Sequence, residues 1–159
     1  MLFRLLRLIL IVALVVSAPT SFDAMAQAIG QGAAGLIADQ QKVIQDLTAK
    51  TDGLEKKITN NDEDDAALVD IRLQLEDMSR AALTSALAFR SRLTDINNRI
   101  ETLGPPPAAG QPQEPDIVTS ERQALASEKA GINAVIASAQ NLPLRINGLI
   151  DKIGHMRSG

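Results

Sequence analysis

The residues that could do chemistry in this chain are one histidine, a short acidic run and carboxylates scattered along helical patterns. His155 is the only histidine. A metal site or a nucleophile relay needs several converging partners, and there is no cysteine in the chain to join it. Set beside Gly154 near residue 159, it reads as a solvated side chain. Asp62-Glu63-Asp64-Asp65 is a dense acidic run, but it lacks the alternating Asp/Asn spacing, central Gly and distal Glu of a calcium loop. Its place just before an apolar helical pattern predicts a helix start, with Asp62 as the cap and negative charge at the positive end of the helix dipole. Glu121, Glu128 and Asp151 fall within helical patterns, where carboxylates usually form the solvated face. There is no glycine-rich phosphate cradle and no Walker pattern. The expectation is a protein that is not an enzyme and carries no metal or cofactor.

The elements around these residues are long helices folded back on one another. Leu103-Gly104-Pro105-Pro106-Pro107 is a stop signal between two apolar patterns of helical period: Gly104 can take the left-handed conformation that closes a helix, and the prolines lack the N–H to continue it. Before it, Ile37, Ile44, Leu47, Leu54 and Ile58 recur at heptad spacings, with Gln40 and Thr51 at the intervening seam positions. This predicts a first helix over residues 36–59, supported by Asp46 with Lys50 and Asp52 with Lys56, acid-before-base pairs four apart. Gly53 weakens it by about 1 kcal/mol relative to Ala. Asn60-Asn61 makes the turn.

A second helix is expected unbroken over 62–103, carrying Leu68, Ile71, Leu75, Met78, Ala82, Ala86, Phe89, Leu93, Ile96, Ile100 and Leu103 on one face. Near Ala82 a repeated four-residue step shifts the seam. The linker from Gly104 to Asp116 is a plain connector, and Asp116 caps a third helix over 116–157 whose apolar face runs from Val118 through Met156. Pro143 falls inside it and predicts a kink or short break, with Asn141 capping the new start. The fold class is all-α: an elongated antiparallel three-helix coiled-coil bundle.

The N-terminus reads as an address. Arg4 and Arg7 precede an unbroken apolar run from Leu8 to Val16, and Ala24-Met25-Ala26 supplies a small-x-small cleavage pattern. The apolar core is about 10 residues, against the ~20 a membrane-spanning helix needs. Residues 1–26 are expected to be a signal peptide and 27–35 a glycine-dotted flexible lead-in to a bundle over 36–157, placing the body in the periplasm. With only 2% aromatic residues, a core of Leu, Ile, Val and Ala suits thin helix seams better than a thick globule. A net charge of -3 argues against a nucleic-acid partner, which would need a basic face.

The order of these features carries a resemblance. The signal peptide, Gln41-Lys42-Val43-Ile44, Asp70-Ile71-Arg72-Leu73-Gln74-Leu75, the Leu-Gly-Pro-Pro-Pro turn, Glu121-Arg122 with Glu128, and Leu149-Ile150-Asp151-Lys152-Ile153 resemble the N-terminal exported domain, of unknown function, of MscS-like mechanosensitive channels of alphaproteobacteria. The resemblance covers nearly the whole chain after the signal. It implies a non-catalytic periplasmic arm whose partners are its own channel subunits and the inner-membrane region. No stretch after residue 26 has the ~18 consecutive apolar residues of a membrane span, so the expectation is a truncated form or a free-standing version of that arm, not pore-forming alone. The alternative from another class is a stand-alone periplasmic coiled-coil adaptor or chaperone-like protein that grips a protein partner. A third reading is a homo-oligomer in which a spare apolar stripe pairs with its copy. Three stripes that satisfy one another favour the spacer, whereas an uncovered stripe marks a docking surface.

Overall fold

The computed structural model describes the backbone of residues 21–159 and the side chains from residue 33 onward. The signal peptide expected over residues 1–26 falls mostly outside the described residues. The described chain is all-α: helices α1 (Ser21–Asn60), α2 (Asp65–Leu87), α3 (Arg90–Leu103) and α4 (Asp116–Ser158), with no strand among the described residues. α2 and α4 pack against each other and both pack against α1, while α3 packs on α4. The result is a helical bundle.

α1 is longer than the apolar period predicts. Residues 27–35, expected as a flexible lead-in, are helical backbone within it. Ala26, Ala28, Ala33 and Ala34, the best helix formers, offset the glycines between them. At its other end the Asn61 side-chain amide donates to the Lys57 carbonyl at 2.8 Å, satisfying one of the acceptors that a helix end leaves free.

The cap of α2 is Asp64, two residues beyond the expected Asp62. Its Oδ1 accepts from the Ala67 N–H at 3.0 Å, and its backbone is extended at φ −96°, ψ 94°. Asp62 is used up in the turn, closed by the Asp64 N–H donating to the Asn61 carbonyl at 3.0 Å. Asp116 is likewise the first residue of α4 rather than its cap. Pro115, at φ −55° and ψ 144°, stands before it without a side-chain capping bond, and the Asp116 carboxylate lies in the first turn, where the helix dipole favours it.

The helix expected as one piece over 62–103 is interrupted at Ala88 and Phe89. Phe89 sits at φ −100°, ψ −2°, the bridge region between helical and extended backbone, and regular helical bonding resumes with the Leu93 N–H donating to Phe89 O at 2.9 Å. Phe89 is only 1% exposed. The break seats the one aromatic side chain among residues 33–159 in the core.

Two apolar clusters follow from this division. Ile58, Leu75, Ala82, Ala139, Ile146 and Ile153, each fully buried, belong to the first, where α1, α2 and α4 meet. Phe89 and Ile96 join Leu125, Ile132 and Val135 in the second, with Ile37, Leu93, Ile100 and Leu103 partly buried against it. Burial at about 25 cal/mol per Å² makes each large side chain worth roughly 1.5–3 kcal/mol. α4 runs through Pro143 instead of breaking there. Leu142 and Ile146, buried on either side, hold the chain in its helical path, and Asn141 is an exposed interior residue rather than a cap.

Candidate functional site

Three of the polar contacts between helices are made at seam positions. Ser85, Arg92 and Arg99 are seven residues apart and in phase with the buried Ile71 and Met78. On α4, Glu121 and Glu128 are in phase with the buried Val135, Leu142 and Leu149, and on α1, Gln40 is in phase with Leu47 and Leu54. The partners match position by position. The Arg92 guanidinium donates to both oxygens of Glu128, at 2.5 and 2.7 Å. Arg99 makes the same fork on Glu121, at 2.5 and 3.0 Å. The Ser85 hydroxyl donates to Gln40 Oε1 at 2.5 Å across to α1.

This corrects two expectations. Glu128 is not on a solvated face, its side chain keeping only 11% of its exposure, while Glu121, at 35%, is half-exposed beside Arg99. The seam also passes through Ser85, which is buried, whereas Ala86 is half-buried beside it. Thr51 is a seam position as expected: it is fully buried, and its hydroxyl donates to the Leu47 carbonyl at 2.8 Å, so no polar atom is stranded there.

The turn is gathered by one arginine. Gly104 has φ 68° and ψ −173°, a positive-φ region outside the left-handed helical well that is essentially restricted to glycine. Arg122, from the second turn of α4, donates to the carbonyls of Gly104, Leu103 and Pro105 at 2.5, 3.0 and 3.4 Å. Glu114 holds the same guanidinium through both of its oxygens at 3.0 Å and accepts from the Thr119 hydroxyl at 3.1 Å. Leu103, Gly104 and Pro105 are thus brought together around Arg122, while Pro106 and Pro107 are exposed. The carbonyls that end α3 find their donors here, a role that the sequence pattern did not reveal.

At the other end the pairs are more exposed. Arg145 bonds Asp52 at 2.6 Å and Glu55 at 2.7 Å, so Asp52 reaches across to α4 rather than along α1 to Lys56. Arg157 pairs with Asp65. Within α2, Arg72 pairs with Glu76 and Arg80 with Asp77.

These contacts shift proton affinities in the direction of the charged forms. The hydrogen bond from Arg99 holds the Glu121 carboxyl below its usual range, and Arg157 does the same for Asp65. Glu128 raises the proton affinity of Arg92, and Glu55 followed by Asp52 raises that of Arg145. Each arrangement stabilises a fixed charge.

An open groove of about 570 Å³ lies between α1 and α4, lined by Ile44, Thr48, Asp52, Ser138, Leu142 and Arg145. Among the described residues no three His, Cys, Asp or Glu side chains are grouped to share a metal ion. His155 is exposed in the last turns of α4, and no helix among the described residues is long and apolar enough to cross a membrane. In comparisons with known proteins, no family model, no curated protein and no solved structure matches the chain.

Proposed function

We propose that this chain is a non-catalytic helical spacer, an elongated antiparallel three-helix coiled coil in which α2 and α3 together act as the middle helix. The observation that carries the reading is the use made of the polar seam residues. Arg92, Arg99, Ser85 and Gln40 each meet a polar partner on a neighbouring helix, which is how polar seam residues fix register in coiled coils. As residue numbers rise along α2 and α3, their partners' numbers fall along α4: Asp65 with Arg157, Arg92 with Glu128, Arg99 with Glu121. That order supports antiparallel packing. At 1.5 Å per residue the 43 residues of α4 extend about 65 Å, a length suited to an arm.

The basic, apolar and small-residue order of the N-terminus supports export to the periplasm, and the resemblance to the exported domain of MscS-like channels supports an arm that contacts the subunits or membrane region of such a channel. The three apolar stripes bury one another, which favours this spacer over a coiled-coil adaptor that grips partners through an open seam.

Fractionation of cells expressing the full chain, with mass spectrometry of its N-terminus, tests the address. A periplasmic product beginning at Gln27 is expected, and an unprocessed cytoplasmic product refutes export. Deleting the segment matching residues 27–157 from a full-length channel of this type tests the arm: a changed tension threshold in patch recordings is expected, and an unchanged one removes the channel role.

A further inference from the structure

The weak points of the long helices coincide at one level of the bundle. Arg92 pairs with Glu128, so the break at Ala88 and Phe89, one turn before Arg92, lies level with Gly131, one turn after Glu128. On another side of α4, Gly131 meets α1. A Cβ added there would stand 3.2 Å from Ile37 Cδ1, so the absence of a side chain is what lets these two helices approach so closely. Two residues before Ile37, α1 carries Gly35, with open space around it. Glycine weakens the interior of a helix, so α1 and α4 are both softened where the run of α2 into α3 is interrupted.

The core changes at the same level. The cluster joining α1, α2 and α4 reaches Ala82 and Ala139, and the cluster around Phe89, Ile96 and Ile132 lies beyond it. The two share no buried residue, and between them stands a polar layer, the Ser85 hydrogen bond to Gln40. The charges divide in the same way. Arg92–Glu128, Arg99–Glu121 and Arg122–Glu114 lie on the α3 side, whereas Arg145 with Asp52 and Glu55, and Arg157 with Asp65, lie on the α2 side. The pairs within α2 stay on its side too, so among the described residues no ion pair joins the two halves.

We propose that this level is a hinge. The half carrying α3, the Gly104 turn and the start of α4 swings as one body against the half carrying α2, the Asn60 turn and the end of α4. Ala88 and Phe89 are the element-terminal residues that absorb the change in backbone angles, and Gly35 and Gly131 let α1 and α4 follow. Each half keeps its own clamps as it moves, because none of them crosses the hinge. Other weak points lack this coincidence. Gly53 and Gly148 fall near one level of α1 and α4, but α2 runs unbroken past them between the buried Ile71 and Leu75. Pro143 is itself buried, between Leu142 and Ile146.

The test uses the full chain, whose lack of cysteine allows spin labels at two chosen sites. Lys56→Cys with Asn97→Cys spans the hinge, and Ala81→Cys with Lys152→Cys lies within one half; all four positions are exposed. Electron–electron double resonance should give a distance distribution across the hinge roughly twice as broad as that within the half. Adding Gly35→Ala and Gly131→Ala together should remove about half of that excess breadth and leave the distribution within the half unchanged. Gly35→Ala alone, whose methyl group enters open space, should remove part of it, so the test holds even where the Gly131 methyl displaces Ile37. Circular dichroism of each variant should match the parent. A distribution across the hinge as narrow as that within the half, or one that neither glycine variant narrows, overturns the proposal. Because the labels read motion within the purified chain, the outcome is separate from those of the export and channel tests.

Discussion

The Arg92–Glu128 pair tests whether the polar seam sets the register. Reversing either charge places like charges against each other at a position where Glu128 is 11% and Arg92 35% exposed. Two unit charges about 4 Å apart at an effective dielectric constant near 20 interact by roughly 4 kcal/mol. The exposed third of Arg92, the ordering of both side chains and the cost of desolvation remove more than half of that. About 1.5 kcal/mol of coupling remains, in line with hydrogen bonds to charged groups. The assay is urea unfolding followed by helical circular dichroism for the parent, Arg92→Glu, Glu128→Arg and the double exchange. Each single variant should lower stability, and the exchange should recover most of the loss. The same cycle on Arg99 and Glu121 should give a smaller coupling, since both of those side chains are more exposed. A coupling below about 0.3 kcal/mol at Arg92–Glu128, where pairs become indistinguishable from additive sites, would refute the reasoning.

Other outcomes follow from the same geometry. Gly53→Ala adds a methyl group into open space within α1 and should stabilise the chain by about 1 kcal/mol, seen as a raised urea midpoint. Leu75→Ala empties a fully buried seam position and should cost about 2–5 kcal/mol in the same assay. Gly104→Ala forces a side chain into a backbone region at φ 68° and should cost about 1–3 kcal/mol. Acid titration reads the carboxylates: Glu121 has a pKa held below its usual 4.5 in the fold. Its contribution is therefore present above that unfolded value and is lost as pH falls through the lower folded one. Glu121→Gln should show a shallower loss of stability below about pH 4.5 than the parent, and equal slopes would contradict the pairing.

Much of the seam was legible in residue types. The buried α1 residues Ile44, Leu47, Leu54 and Ile58, with Thr51 among them, fall where the period places them, because a fixed helical pitch turns spacing directly into a face. The turn after Leu103 was legible too, since glycine and proline act on the backbone through their own covalent structure. The caps were not: Asp62 and Asp116 were the expected ones, whereas Asp64 caps α2 and Pro115 precedes α4. Several acids in a row can each cap a helix, and the choice fell to whichever carboxylate the turn left beside a free N–H, here Asp64.

The polar pairs show the same division. Arginines at 92 and 99 and glutamates at 121 and 128 share a seven-residue spacing that could have marked them. Taken one helix at a time, charged residues belong outside, and apolar Ala86 is a better seam residue than Ser85. Which side chain faces inward was settled by its neighbour: Gln40 opposite Ser85, Glu128 opposite Arg92.

What the sequence determined by itself is therefore what is local: helices, their apolar stripes and the stop at Gly104 follow from pitch, propensity and backbone chemistry within a few residues. The tertiary structure alone decided the break at Phe89, the passage of α4 through Pro143 and the partners of each charge. These depend on groups tens of residues away, whose burial and hydrogen bonds exist only once the helices have met.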